Sequence, residues 1–238
     1  MYIVKHIVLI AGGSGSGKTT LSKILKDDLR KDGKKVLRIP MDAYYKTKAD
    51  REKRENPGNM DCSDAFDLEL LKNHLGALMR GESIKRPYYK MSGKTSDREE
   101  KFKLLSGNNV DVIVIEGILG LHKDVLDELQ SILSDSEIKT HKVFVDMDYE
   151  AMLEQRIIRD AETRGATRED TIEFDTKFVR PAYNTTIKPT KNNADSDKIV
   201  TNCPSELGFY KTNKHGEKIH APVKLVEEAE QLKIACIG

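Results

Sequence analysis

Gly12-Gly13-Ser14-Gly15-Ser16-Gly17-Lys18-Thr19 fits the pattern G-x-x-x-x-G-K-[ST], with Thr20 following directly. Successive backbone N–H groups of such a loop surround the β-phosphate of a nucleotide, its lysine reaches the β/γ oxygens and its hydroxyl reaches a magnesium ion. Two carboxylates stand where they could complete that chemistry. Asp42 follows the run Val36-Leu37-Arg38-Ile39-Pro40-Met41 and is a candidate base, while Glu116 ends Val110-Asp111-Val112-Ile113-Val114-Ile115 and is a candidate holder of magnesium or its water. Arg156 and Arg159 are three residues apart, so they share a helix face, and Arg164 and Arg168 flank the break at Gly165. A guanidinium fork matches phosphate oxygens, which makes this cluster a candidate closing lid.

The order of elements supports these assignments. The apolar run Ile7-Val8-Leu9-Ile10 predicts a buried strand over 2–11, and Leu21, Ile24, Leu25 and Leu29 predict a helix over 20–30, so the glycine loop sits between a strand and a helix N-terminus whose dipole favours phosphate. Strand, helix, strand at this spacing argues for a parallel βαβ unit, which puts Asp42 on the same rim as the loop. Residues 46–55 read as a polar, mobile excursion closed by the turn Asn56-Pro57-Gly58-Asn59. A helix with Leu68, Leu71, Leu75 and Leu78 inward follows and ends at Gly81. Residues 83–103 read as a hairpin over the site, on which Tyr88 and Tyr89 either stack on a flat ligand or cover the core. Further elements are a helix carrying Val125, Leu126, Leu129 and Leu133, a strand over 142–146 and helices over 149–162 and 169–182. A polar loop over 187–194, a last sheet strand over 196–200, a hairpin over 208–221 turned at Lys214-His215-Gly216 and a helix over 223–231 complete the chain.

The whole reads as one doubly wound parallel α/β domain of P-loop nucleoside/nucleotide-kinase type over 1–238, with a lid over 156–170, the small hairpin subdomain and a C-terminal hairpin and helix over 208–238. Forty Lys and Arg against 39 Asp and Glu give no general argument for nucleic acid or an anionic membrane as partner. Three cysteines, far apart and with no Cys-x-x-Cys pair, indicate neither a disulfide framework nor a zinc site. With no signal peptide before the first strand and no apolar stretch near 18 residues, the expectation is a cytoplasmic protein without membrane spans.

Guanine recognition calls for Asn-Lys-x-Asp, and Asn213-Lys214-His215-Gly216 lacks the aspartate. Leu105-Ser106-Gly107-Asn108 is only superficially like the signature of transport ATPases. What remains is a small-molecule kinase using ATP or another nucleoside triphosphate with Mg2+. The series from the phosphate loop through Asp42-Ala43-Tyr44-Tyr45, Asn59-Met60-Asp61-Cys62-Ser63-Asp64-Ala65-Phe66-Asp67, Glu116-Gly117-Ile118-Leu119 and Arg156-Ile157-Ile158-Arg159-Asp160 to Arg164-Gly165 resembles the uridine kinase (uridine–cytidine kinase) family of the phosphoribulokinase-like group. Val179-Arg180-Pro181-Ala182-Tyr183 resembles its closing segment.

That resemblance implies a homo-oligomer that phosphorylates a nucleoside. Asp42 would take the proton of the ribose 5′-hydroxyl, with Lys18 beside it in the catalytic pair. Gly12 through Thr20, with Arg159 and Arg164, would hold the donor; Thr19 and Glu116 the metal; Asp61, Tyr89 and Arg156 the acceptor, Asp61 by its two vicinal hydroxyls. The chain also departs from the family. Tyr89-Lys90-Met91 replaces Tyr-Asp-Phe, no histidine precedes His122 in the hairpin region, the lid reads Arg164-Gly165-Ala166 in place of Arg-Gly-Arg, and Phe174 falls where a glutamine is expected. These are base-reading positions, so a different base, another small polyol or a nucleotide-sensing role stays open.

Overall fold

A computed structural model describes residues 4–91, 96–134, 137–195, 199–201, 210–212, 218–220 and 230–233. Strands β1 (His6–Gly12), β2 (Val36–Pro40), β5 (Val112–Glu116), β6 (Lys139–Asp146) and β7 (Ile199–Thr201) form one parallel sheet in the order β2-β5-β1-β6-β7. Alternation along the strands separates two cores. Ile7, Leu9, Ala11, Ile39, Ile113 and Ile115 face one side, packed against α3 (Leu68–Met79) and α4 (Lys123–Glu128), while Val8, Ile10, Val36, Val112, Val114 and Val145 face Leu21, Leu25 and Leu29 of α1 (Lys18–Lys31). Burial on both faces explains why the strands read as continuous apolar runs rather than alternating ones.

Register fixes the rim. Glu116 lies opposite Ile10 of β1 and Pro40 of β2, so the phosphate loop, the β2 end and the β5 end share the carboxyl edge of the sheet. The predicted β2 strand stops one residue early. Met41–Tyr44 form a single 3₁₀ turn, which leaves Asp42 exposed just beyond the end of the strand.

The segment over 46–55 is not a bare excursion. It contains α2 (Lys48–Glu52), capped by the Thr47 hydroxyl accepting from Asp50 N, and it buries Arg51. The hairpin forms from β3 (Ser83–Lys90) and β4 (Asp97–Ser106), antiparallel with a bulge at Pro87/Tyr88, and continues past the predicted end at 103. The helix around Val125 is two pieces, α4 and α5 (Gln130–Leu133), broken where Leu129 leaves helical geometry at φ −90, ψ 1.

Helix α6 (Tyr149–Arg164) ends on Gly165 in the left-handed region, and α7 (Arg168–Phe174) starts on a Thr167–Asp170 capping box. The helix predicted to end at 182 instead widens over Asp175–Val179, tightens at α8 (Arg180–Ala182), widens again over Tyr183–Ile187 and runs on as a 3₁₀ stretch over Lys188–Asn193. The expected polar loop over 187–194 is therefore helical, anchored by buried Ile187 and by Thr190, whose hydroxyl donates to the Ile187 carbonyl. Strands β8 (Tyr210–Thr212) and β9 (Lys218–His220) pair as the C-terminal hairpin, and 230–233 are helical. The first hairpin's tip over 92–95, residues 196–198 of the expected last strand, the turn at 214–216 and most of the terminal helix lie outside the described residues.

Candidate active site

The phosphate loop owes its shape to glycine. Gly15 has φ +91, and a Cβ there would lie 2.4 Å from the Met152 carbonyl oxygen; a Cβ at Gly12, φ +142, would meet the Val145 carbonyl oxygen at the same distance. Backbone can approach that closely only without a side chain. The Gly13 carbonyl accepts from Ser16 N at 3.1 Å and from Lys18 Nζ at 2.7 Å, so the lysine is buried and curled back across its own loop. Burial pushes the Lys18 ammonium below its ordinary range, against the pull of Glu116 and Asp42. Gly17, φ +101, leads directly into α1, whose first turn exposes Thr19 and Thr20.

Glu116 is 6 % exposed. Its Oε2 accepts from Thr19 Oγ1 at 3.3 Å and its Oε1 pairs with Arg38 at 2.7 Å. Arg38 Nε donates to Ser22 Oγ at 2.7 Å, and that hydroxyl donates to the Thr19 carbonyl at 3.0 Å, closing a ring of hydrogen bonds between β2, β5 and α1. Burial first, then the Asp42 charge, raises the Glu116 carboxyl, while Arg38 and Lys18 oppose the rise. One carboxylate beside one hydroxyl at the mouth of a phosphate loop suits a hard cation that keeps most of its other ligands as water and phosphate, as magnesium does.

Asp42 touches this group electrostatically from the turn after β2: its charge acts on Lys18, Glu116, Asp61, Tyr45 and Arg164. Asp61 faces it from the loop before α3. Its backbone N–H donates to Asn59 Oδ1 at 3.0 Å, but its Oδ2 is enclosed with no hydrogen-bond partner among the described residues. Burial pushes the Asp61 carboxyl up to about 6, Asp42 adds to the rise, and Arg156, Lys18 and Arg159 oppose it. An unpaired buried carboxylate in a cleft is what a ligand with hydroxyl donors would satisfy.

Tyr89 covers the core rather than offering a free face. Its ring is tilted against Tyr45 at 5.1 Å with the Arg51 guanidinium 5.8 Å from its centroid, and its hydroxyl oxygen is enclosed without a partner among the described residues. Arg98, which the sequence did not single out, ties the hairpin to the Asp42 turn through the Tyr45 carbonyl at 2.9 Å and Asp67 at 3.3 Å. Arg51 does the same from α2, donating to the Lys46 and Ser96 carbonyls at 3.2 and 2.6 Å.

The arginines of α6 divide. Arg159 reaches Ser14 Oγ at 3.5 Å and pairs with Asp160 at 2.8 Å, and Arg164 reaches the other Asp160 oxygen at 3.3 Å. Arg156, 4 % exposed, is already paired with Asp175 and meets the Ser14 carbonyl at 3.4 Å. Neither Arg38 nor Asp175 was recognised from the sequence. A lone basic residue inside the apolar run of β2 was the signal for Arg38, and nothing local marks Asp175.

A phosphate loop after β1, an acidic turn after β2 and a buried carboxylate at the end of β5, all on one rim of a parallel sheet, define a P-loop kinase. Solved structures share the fold. A D-glycerate 3-kinase from Cryptococcus neoformans superposes with TM-score 0.58 at 17 % identity over 84 % of this chain and 85 % of that one, and a phosphoribulokinase from Rhodobacter spheroides with 0.58 at 18 % over 85 % and 71 %. Residues 7–206 match the Phosphoribulokinase / Uridine kinase family. A uridine kinase of Halalkalibacterium halodurans is 38 % identical over 79 % of this chain and 83 % of its own length, and one of Lactobacillus johnsonii is 39 % identical over the same shares. The chain belongs to the phosphoribulokinase/uridine kinase family.

Proposed function

We propose that this protein transfers the γ-phosphoryl group of ATP to the 5′-hydroxyl of uridine or cytidine. The observation that carries the reading is the convergence on one rim of Lys18, Glu116, the open Asp42 and the unpartnered Asp61, in a chain 38 % identical to a uridine kinase. Lys18 and the loop amides from Gly12 to Thr20 hold the donor phosphates, with Arg159 and Arg164 closing over them. Thr19 and Glu116 would hold Mg2+, which when bound neutralises charge on the transferring group. Asp42 orients the acceptor hydroxyl and takes its proton. Asp61 accepts from the vicinal ribose hydroxyls, and Tyr89 supplies a hydroxyl, not a stacking face, to the acceptor.

Discrimination between bases is weak in this reading. Ala166 replaces an arginine of the family pattern, and Phe174, 46 % exposed and packed on Phe178 at 5.2 Å, puts an apolar ring where an amide is expected. A pocket without buried polar readers leaves little unpaired when the base changes, whereas losing one hydroxyl strands Asp61. The setting we infer is a cytoplasmic enzyme of pyrimidine salvage assembled from identical subunits, supported by family membership. No helix of the described residues is long and apolar enough to cross a membrane.

The test is a coupled assay across uridine, cytidine, adenosine, their 2′-deoxy forms and small polyols. Removing one hydroxyl is expected to lower kcat/KM about tenfold or more, and exchanging the base less. Asp42→Asn should abolish turnover while a fluorescent ATP analogue still binds. No acceptor-stimulated turnover with any compound refutes the kinase reading, and a sharp uridine preference with tolerance of deoxyribose refutes the specificity.

A further inference from the structure

Asp175 lies outside every motif that defines the site, yet at 1 % exposure it is the most deeply buried carboxylate among the described residues. It opens the widened helical turn Asp175–Val179, and such turns aim inward a side chain that regular helix geometry would carry past the contact. Its Oδ1 accepts from the Tyr149 hydroxyl at 2.6 Å and pairs with Arg156 Nη2; its Oδ2 accepts from Arg180 Nε at 3.2 Å. Arg180 also meets Glu150 at 2.9 Å and lies over the Tyr149 ring at 4.4 Å. Two cations and two carboxylates thus balance before any phosphate arrives. On its other side Arg156 Nη1 meets the Ser14 carbonyl, and its Cγ lies 3.3 Å from where a Cβ on Gly15 would stand.

A guanidinium held this way would have to break a buried ion pair to close on a phosphate, which makes it a poor clamp and a good strut. We propose that Asp175 is a positioning residue: it fixes Arg156 against the phosphate loop, so that Arg156 shapes the loop and presents a stationary positive charge to the acceptor carboxylate Asp61. The proposal rests on reading Asp61 as the acceptor residue. Among the charges acting on Asp61, Arg156 comes first, ahead of Asp42, Lys18 and Arg159. The groups facing Asp175 are Arg156, Arg180 and Tyr149.

The experiment is a carbon-13 NMR titration of the Asp61 carboxyl in the ligand-free protein, assigned by its loss in Asp61→Asn. The wild-type midpoint is expected at about 6. Asp175→Asn keeps an acceptor for Arg156 but removes the balancing charge, so the midpoint should fall by about half a pH unit or more. Asp175→Ala releases Arg156 and should raise it. Arg156→Met alone should raise it, and in that background Asp175→Ala should raise it no further.

Shifts of the same sign in both Asp175 variants, no shift in either, or a rise with Asp175→Ala that persists in Arg156→Met overturn the proposal. If Asp175→Ala does not fold, Asp175→Asn and Arg156→Met decide alone: the first must lower the midpoint and the second must raise it. The titration needs neither donor nor acceptor, so it can fail while phosphotransfer holds, and it can succeed in a chain that phosphorylates no nucleoside.

Discussion

Replacing Asp61 with asparagine should stabilise the protein and cripple it in the same step. The Asp61 carboxyl is raised from its ordinary 3.8 to about 6, chiefly because burial strips water from the charge. A rise of that size corresponds to about 3 kcal/mol of unfavourable charge burial at neutral pH. Because the residue as a whole is only partly buried, screening brings the expected gain for Asp61→Asn to about 1–2 kcal/mol, a rise in Tm of roughly 2–8 °C for a chain of this size. The sign follows from the folded carboxyl binding its proton more tightly than the unfolded one. The native carboxylate is destabilising in full above about pH 6, progressively less as pH falls towards 3.8, and not at all below. Urea unfolding at pH 7.5 and pH 4 measures both ends: the gain should be present at the first and nearly gone at the second. Steady-state kinetics on the same variant should show kcat/KM for the nucleoside down at least about tenfold with the KM for ATP little changed. A variant destabilised equally at both pH values would show that Oδ2 is satisfied in the native protein and that the acceptor argument built on it is wrong.

The His6–His141 pair gives a second pH signature, remote from the chemistry at the opposite end of β1. The rings stack with nitrogens 3.2 Å apart, and burial, then His141, Lys139, Lys34 and Lys5, lowers His6 to about 4. Since the unfolded side chain takes its proton near 6.5 and the folded one does not, stability should fall by about 1–2 kcal/mol between pH 6.5 and 4 and level off below. Equilibrium unfolding across that range should lose this slope in His6→Gln, and an unchanged slope refutes the assignment. Arg38→Met strands the Glu116 carboxylate. It should cost about 2–4 kcal/mol in urea unfolding and raise the magnesium concentration needed for half-maximal rate, and wild-type values for both would mean that the closed ring of hydrogen bonds orients nothing.

What the sequence made legible is what nearest-neighbour chemistry dictates. The phosphate loop could be read because a strand, a glycine turn and a helix leave three different periodicities in succession, and Asp42 and Glu116 because each stops an apolar run at the rim a parallel sheet exposes. Asp61 became a candidate only through family resemblance, since a carboxylate in a polar loop looks like any other. The residues missed are those whose partners lie far along the chain or across an irregular turn. Arg51 sits in a charge-rich stretch that resembles solvated surface; its burial is tolerable because the Lys46 and Ser96 carbonyls accept from it, and the second is 45 residues away. Arg38 looked like an odd residue in an apolar strand until Glu116, 78 residues on, supplied its partner.

Asp175 is the sharpest case. It is only 19 residues from Arg156, but regular 3.6-residue periodicity does not foretell a turn that widens to aim it inward. Buried charges are retained only when paired, so an arginine expected to hold phosphate should prompt a search for the carboxylate that already holds the arginine. Here that carboxylate lies on the helical stretch following α7, and in the reading proposed above it joins α6, the phosphate loop and the acceptor site through Arg156.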